Sequence, residues 1–169
     1  MKDKIKISGI IRNSITDGVG IRYVIFVQGC SHNCKGCHNP ETHDYNKNVP
    51  LISIDDILKD IKLHGQGTRG ITLSGGDPLF LMNLEGVTTL CKEYKKEFPD
   101  KTIWLYTGYT IEELDITQEI FKYIDVLVDG RFIENQKSLE LKFKGSKNQR
   151  IINIPQTMKQ NKIILEEVD

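Results

Sequence analysis

Three cysteines fall within eight residues, Cys30-Ser31-His32-Asn33-Cys34-Lys35-Gly36-Cys37, directly after the apolar run Tyr23-Val24-Ile25-Phe26-Val27. A β-branched and aromatic run of this kind predicts a buried strand, which puts the cysteines on the loop at its carboxyl end. Any fold the chain adopts must hold that loop still enough to present three thiols to one centre. Three thiolates can each take one iron of a [4Fe–4S] cubane and leave the fourth iron for a ligand other than cysteine. The spacing allows two other readings. His38 directly after Cys37, or His32 or His43, would complete a Cys3His zinc site of the closed, structural type. A disulfide pair with a spare thiol uses the same residues. A zinc knuckle gives no purpose to the glycine-rich strand ends described below, and Met1-Lys2-Asp3-Lys4 leads into no apolar signal segment that would suit a disulfide.

With 169 residues the chain is expected to form a single domain over 1–169. Lys plus Arg and Asp plus Glu are balanced at 23 each, so no net field draws the chain to nucleic acid or an anionic membrane. No stretch approaches the ~20 apolar residues of a membrane helix, and the cytoplasm is the expected location. Lys142, Lys144, Lys147 and Arg150 form a local basic stretch that reads as a solvated face.

Strand and helix signals alternate along most of the sequence. Ile5 to Ile11 opens as a strand, Asp17-Gly18-Val19-Gly20 turns, and Arg22 to Val27 is the strand before the cysteines. Ser53 and Asp56 form a capping pair for a helix carrying Ile54, Ile57, Leu58 and Ile61, ended by Gly65. Gly70 to Ser74 is a short strand running into Gly75-Gly76-Asp77-Pro78. From Leu84, Val87, Cys91, Tyr94 and Phe98 recur at helical spacing until Pro99, which places Cys91 on a buried face. Thr102 to Tyr106 is a strand followed by Thr107-Gly108-Tyr109, Thr110 and Glu113 form a capping box, and Ile116 to Tyr123 reads as helical. Asp125 to Val128 is a further strand closing on Asp129-Gly130, and Leu139 to Phe143 and Arg150 to Ile154 are possible strands.

This alternation predicts an α/β fold with a mainly parallel sheet and right-handed crossovers. Ligands in such sheets gather at the carboxyl ends of the strands. The cysteine loop, Ser74-Gly75-Gly76-Asp77, Thr107-Gly108-Tyr109 and Asp129-Gly130 are all expected there. Adjacent glycines let a ligand approach the backbone, and Asp77 adds an anionic acceptor suited to an ammonium group.

These motifs, in this order, resemble the radical S-adenosylmethionine (SAM) family, whose C-x3-C-x2-C loop follows the first barrel strand and whose Gly-Gly-Glu-type motif follows the second. Through Asp17-Gly18-Val19-Gly20-Ile21-Arg22 and Cys30 to Asn39 the chain is most similar to the activating proteins of glycyl radical enzymes. Trp104 to Tyr109, Val128-Asp129-Gly130-Arg131-Phe132 and Gly145-Ser146-Lys147-Asn148-Gln149 extend the likeness to those that serve anaerobic ribonucleoside-triphosphate reductases.

The resemblance implies that Cys30, Cys34 and Cys37 bind a [4Fe–4S] cluster. It implies that SAM lies with its amino-acid end near Ser74, Gly75, Gly76 and Asp77, with Thr107 beside them, and its adenosyl part near Gly36, Cys37 and His38. The reaction implied is reductive cleavage of SAM and hydrogen abstraction from a glycine of a partner. That partner would be the large subunit of an anaerobic reductase, with a low-potential donor such as a flavodoxin as the electron source. No catalytic acid or base is called for, and His32, His38 and His43 are expected beside the site or on the surface. Gly36 stands where most of the family carries an aromatic residue, and Val19 where a proline is frequent. A closed eight-fold barrel needs ~250 residues, so a partial, open β/α barrel of the radical SAM type is expected. Gly76→Val is expected to shut out SAM while sparing the cluster. An activase for another glycyl radical enzyme, a small-molecule radical SAM enzyme and a zinc-binding interaction module are the competing readings.

Overall fold

The computed structural model describes residues 3–168. Its strands are β1 (Lys4–Ser14), β2 (Arg22–Val27), β3 (Leu51–Ser53), β4 (Gly70–Gly75), β5 (Thr102–Tyr106), β6 (Val126–Asp129) and β7 (Arg150–Asn153), and its α-helices are α1 (Ile54–His64), α2 (Leu81–Glu97) and α3 (Ile154–Gln160). The strands form one seven-stranded sheet in the order β3-β1-β2-β4-β5-β6-β7. The ladders β2/β4, β4/β5 and β5/β6 are parallel, whereas β1 runs antiparallel to β2 and β3, and β7 antiparallel to β6. The parallel arrangement expected from the sequence therefore holds for the middle four strands, with antiparallel flanks on both sides. The sheet is open, with β3 and β7 as its two ends. No helix among the described residues is long and apolar enough to cross a membrane.

Side-chain alternation divides the sheet into two unlike faces. Tyr23, Ile25 and Val27 of β2, Ile71 and Leu73 of β4, and Ile103 and Leu105 of β5 pack against Ile57, Leu58 and Ile61 of α1 and Val87, Leu90, Cys91 and Tyr94 of α2. The opposite face carries a smaller cluster of Trp104, Val126, Val128 and Ile151, covered by Val19, Phe143 and Val168 from loops. Helices close one side of the sheet, and chain without regular structure closes the other.

Both expected caps are present: the Ser53 hydroxyl accepts from the Asp56 amide at 3.1 Å, and Thr110 and Glu113 cap each other across a single 3₁₀ turn. Ile116 to Tyr123, expected as a helix, is not an α-helix, and only Glu119–Lys122 turns in 3₁₀ form. The Asp115 carboxylate takes the Thr117 amide (3.0 Å) and hydroxyl (2.5 Å), a local bond that competes with helix initiation. Leu139 to Phe143 is not a strand. Phe143 has φ of 61° and the free edge of β7 is already taken by residues 164–166, through Asn153 N to Ile164 O and Glu166 N to Ile151 O. Arg150–Asn153 is a strand as expected, but Ile154 starts α3 because Asn153 caps it by accepting from the Gln156 amide at 2.9 Å.

Arg22 pins the amino end of the parallel region. It is 1 % exposed and donates to the Thr72 and Thr102 hydroxyls and to the Val19, Ile71 and Thr102 carbonyls at 2.8–3.1 Å. Burial pushes its pKa down to about 10, which still leaves it charged at neutral pH. Arg22→Leu should leave these acceptors unpaired and destabilise the fold by about 2–4 kcal/mol. Urea unfolding of the iron-free chain checks this, and an unchanged midpoint would contradict it.

Candidate functional site

Where β2 ends, the chain is caught by a second loop segment before the cysteines begin. The Gln28 amide group donates to the Glu41 and Asp44 carbonyls, Gly29 N to Thr42 O, and Cys30 N to His43 O. Gly29 has φ of 113°, and a Cβ there would lie 2.9 Å from both the Phe80 and Tyr45 rings. The turn is thus one that only glycine fits. Asn33 (φ 54°) and Gly36 (φ 76°) give the cysteine loop its two left-handed bends, and Cys37 N closes on Cys34 O at 3.2 Å.

Cys30, Cys34 and Cys37 are unpaired and half-buried, and they line one cavity of about 120 Å³ together with Ser74, Gly75, Gly76, Asp77, Thr107 and Gly130. The parallel strands bring these segments to one edge, as expected. Burial pushes the Cys30 thiol up to about 11. The Asn39 amide donates to Cys37 Sγ at 3.4 Å, and His43 Nε2 lies at the same distance from that sulfur. A larger cavity of about 520 Å³ adjoins the first through Cys37, Ser74, Tyr106, Phe132 and Gln149, and reaches Asp17, His38 and Phe143.

Three of the expected site residues are held by neighbours within the protein. Asp77 is 1 % exposed, and its carboxylate accepts from His32, Thr107 and Gly108 on Oδ2 and from Leu79 on Oδ1. Thr107 is buried too and spends its hydroxyl hydrogen on Asp77. Gly36 lines neither cavity and lies under Glu134, whose side chain would be 3.0–3.2 Å from a Cβ at that position. Phe132 lines both cavities, and its ring lies 5.1 Å from that of His38.

The segment 131–149, to which sequence reasoning gave no site role, forms a strap beside the cavities. Tyr106 donates its phenol to Phe143 O at 2.6 Å. Gln149 ties the strap to the end of β6, its carboxamide oxygen accepting from Gly145 N and its NH₂ donating to Gly130 O. The motifs around Gly130 and Gln149 were visible in the sequence, but these bonds link positions 19 residues apart in irregular chain and leave no periodic signal. In the basic stretch, Arg150 is committed to Asp129 and Glu112, and Lys144 donates to the Gln149 carbonyl.

Residues 16–152 match the family of 4Fe-4S single cluster domains, which defines the class of protein to which this fold and cysteine loop correspond. The anaerobic ribonucleoside-triphosphate reductase-activating protein of Vibrio cholerae is 45% identical over 144 residues, covering 81% of this chain and 90% of that one. The proteins of the same name from Haemophilus influenzae and Escherichia coli K12 are 41% and 39% identical, at 81% and 80% of this chain and 90% of each relative. QueE from Escherichia coli superposes with a TM-score of 0.46 at 18% identity, over 63% of this chain and 53% of that structure. The chain belongs to the family of anaerobic ribonucleoside-triphosphate reductase-activating proteins. It is a radical SAM activating enzyme whose cofactors are a [4Fe–4S] cluster and SAM, and the zinc-module reading falls away.

Proposed function

We propose that this single-domain chain, acting in the cytoplasm, installs a glycyl radical on the large subunit of an anaerobic ribonucleoside-triphosphate reductase. In this reading Cys30, Cys34 and Cys37 hold three irons of the cluster and leave the fourth for SAM. The observation that carries it is the shared cavity: three unpaired, half-buried thiols and the Ser74–Gly76 turn face one space. The donor set fits a cubane, being three soft sulfur ligands on a loop whose bends are fixed by Gly29, Asn33 and Gly36. A Cβ at Gly76 would lie 2.5 Å from a backbone oxygen, so the turn is packed to the limit that glycine allows.

When bound, the group would supply reductive cleavage of SAM, with an electron from a low-potential donor such as a flavodoxin, for hydrogen abstraction from a glycine Cα of the partner. The chain's own residues position and shield. Backbone at Ser74, Gly75 and Gly76 is assigned to the amino-acid end of SAM. Backbone at Cys37 and His38, with the Phe132 ring, is assigned to the adenosyl end, where all three line the adjoining cavity. The strap 131–149 and the Asp17 loop border the adjoining cavity, where exclusion of water protects a radical from side reactions. The sheet belongs to a partial barrel, and its open side gives a partner's glycine loop a lateral way in.

Reduced, iron-loaded protein incubated anaerobically with SAM and the reductase should produce a glycyl doublet in the electron paramagnetic resonance (EPR) spectrum of the partner. That signal should vanish when the partner's radical-site glycine is changed to alanine. A radical-free reductase alongside consumption of a small metabolite would replace this reading with a small-molecule enzyme, and a radical on a different glycyl enzyme would reassign the partner.

A further inference from the structure

His32 lies midway between Cys30 and Cys34, yet its side chain is only 5% exposed and points back into the sheet edge. Its Nε2 meets Asp77 Oδ2 at 2.6 Å. The same oxygen accepts from the Thr107 hydroxyl (2.9 Å) and the Gly108 amide (3.0 Å), while Oδ1 accepts from the Leu79 amide (2.9 Å). The imidazole is wedged in place. It stands edge-on to Tyr109 at 4.5 Å, and a Cβ on Gly108 would lie 2.4 Å from a ring carbon.

A carboxylate buried this deeply is tolerable because both of its oxygens are hydrogen-bonded. Three of the four donors, from the cysteine loop and the end of β5, converge on Oδ2, and Oδ1 is held by the Leu79 amide, so the bonds Asp77 makes are spent on the loop and the strand ends. We infer that His32 and Asp77 are positioning residues that form a latch: they lock the cysteine loop onto the ends of β4 and β5 and do not themselves touch SAM. The inference rests on the cysteine and turn assignments proposed above. It leaves the SAM amine to the backbone of Ser74–Gly76 and makes the Gly-Gly-Asp turn serve two ends, with glycines toward the cofactor and aspartate toward the loop. Thr107 joins the latch through its hydroxyl.

The full-length, iron-free chain tests the latch without any cofactor. His32→Ala and Asp77→Asn should each lower the folded-to-unfolded ratio by about tenfold. The double variant should lose little beyond the worse single one, because both changes remove the same bond. Losses that simply add would overturn the proposal. His32→Gln keeps an N–H donor of comparable reach and should recover most of the stability. It also keeps the comparison readable if His32→Ala does not fold, and a Gln variant as weak as Asp77→Asn would count against the latch.

In the iron-loaded protein, His32→Ala and Asp77→Asn should weaken SAM binding by the same factor and perturb the SAM-induced change in the EPR spectrum of the reduced cluster alike, with His32→Gln restoring both. A loss confined to Asp77→Asn would mean that the carboxylate meets the ammonium directly, which would overturn the inference. Failure of the wild-type cluster to respond to SAM would sink the functional reading instead, and the iron-free unfolding cycle would still decide the latch.

Discussion

Changing any one of Cys30, Cys34 or Cys37 to alanine is expected to take iron from about four per chain to near none, and activation of the reductase to background. Each thiol is the sole protein ligand of its iron in the proposed arrangement, and no spare cysteine is within reach. Cys91, the fourth, is wholly buried between α2 and the sheet. Burial pushes its thiol up to about 12, so it is neither accessible nor readily ionised. Cys91→Ala should therefore keep the full iron content and cost about 1 kcal/mol in stability. Iron and sulfide assays on anaerobically reconstituted variants separate the two outcomes. Retention of about four irons by two or more of the three loop variants would refute the ligand assignment.

Gly76→Ala should be almost as damaging, for a reason the sequence could not supply. A Cβ at Gly76 would lie 2.5 Å from Gly29 O and 2.9 Å from both Gly29 C and Thr42 O. All three are backbone atoms, so relief requires the base of the cysteine loop to move. The sequence expectation was that filling Gly76 blocks SAM and spares the cluster. The geometry instead couples them, because the substituent points into the loop that carries the cysteines. Iron content and SAM binding should fall together, with a loss of about 2–3 kcal/mol in the iron-free fold. A Gly76→Ala protein that holds its full iron and loses only SAM would show that the loop yields more readily than its hydrogen bonds suggest.

The elements that could be read in advance are those whose cause is local. β2 and β5 fall on Arg22–Val27 and Thr102–Tyr106 as expected, since each is a short apolar run with turn residues around it. The α1 cap is equally local, because Ser53 and Asp56 are three residues apart. The elements that escaped depend on partners far along the chain. The strap has no period and takes its shape from Tyr106, Gly130 and Gln149. The antiparallel flanks depend on which strands meet, a matter that side-chain alternation does not encode. In the site, the cysteines and the glycine turn were legible from type and spacing. The commitment of Asp77 was not, because its principal partner lies 45 residues upstream.

The two ends of the sheet bear on how a large protein can be gripped. β3 offers only three residues, and the outer edge of β7 is occupied by the bridge from Ile152 to Leu165 and its neighbouring bonds. An exposed strand edge is the usual template for adding a strand from another chain. Here β3 is short and the outer edge of β7 is already paired, so an added strand would find only the stretch of β1 beyond Ile7, which β3 no longer covers. Away from that stretch, recognition falls to side chains and loops at the strand ends, where the strap or the Asp17 turn can be remodelled while the ladder behind them stays intact.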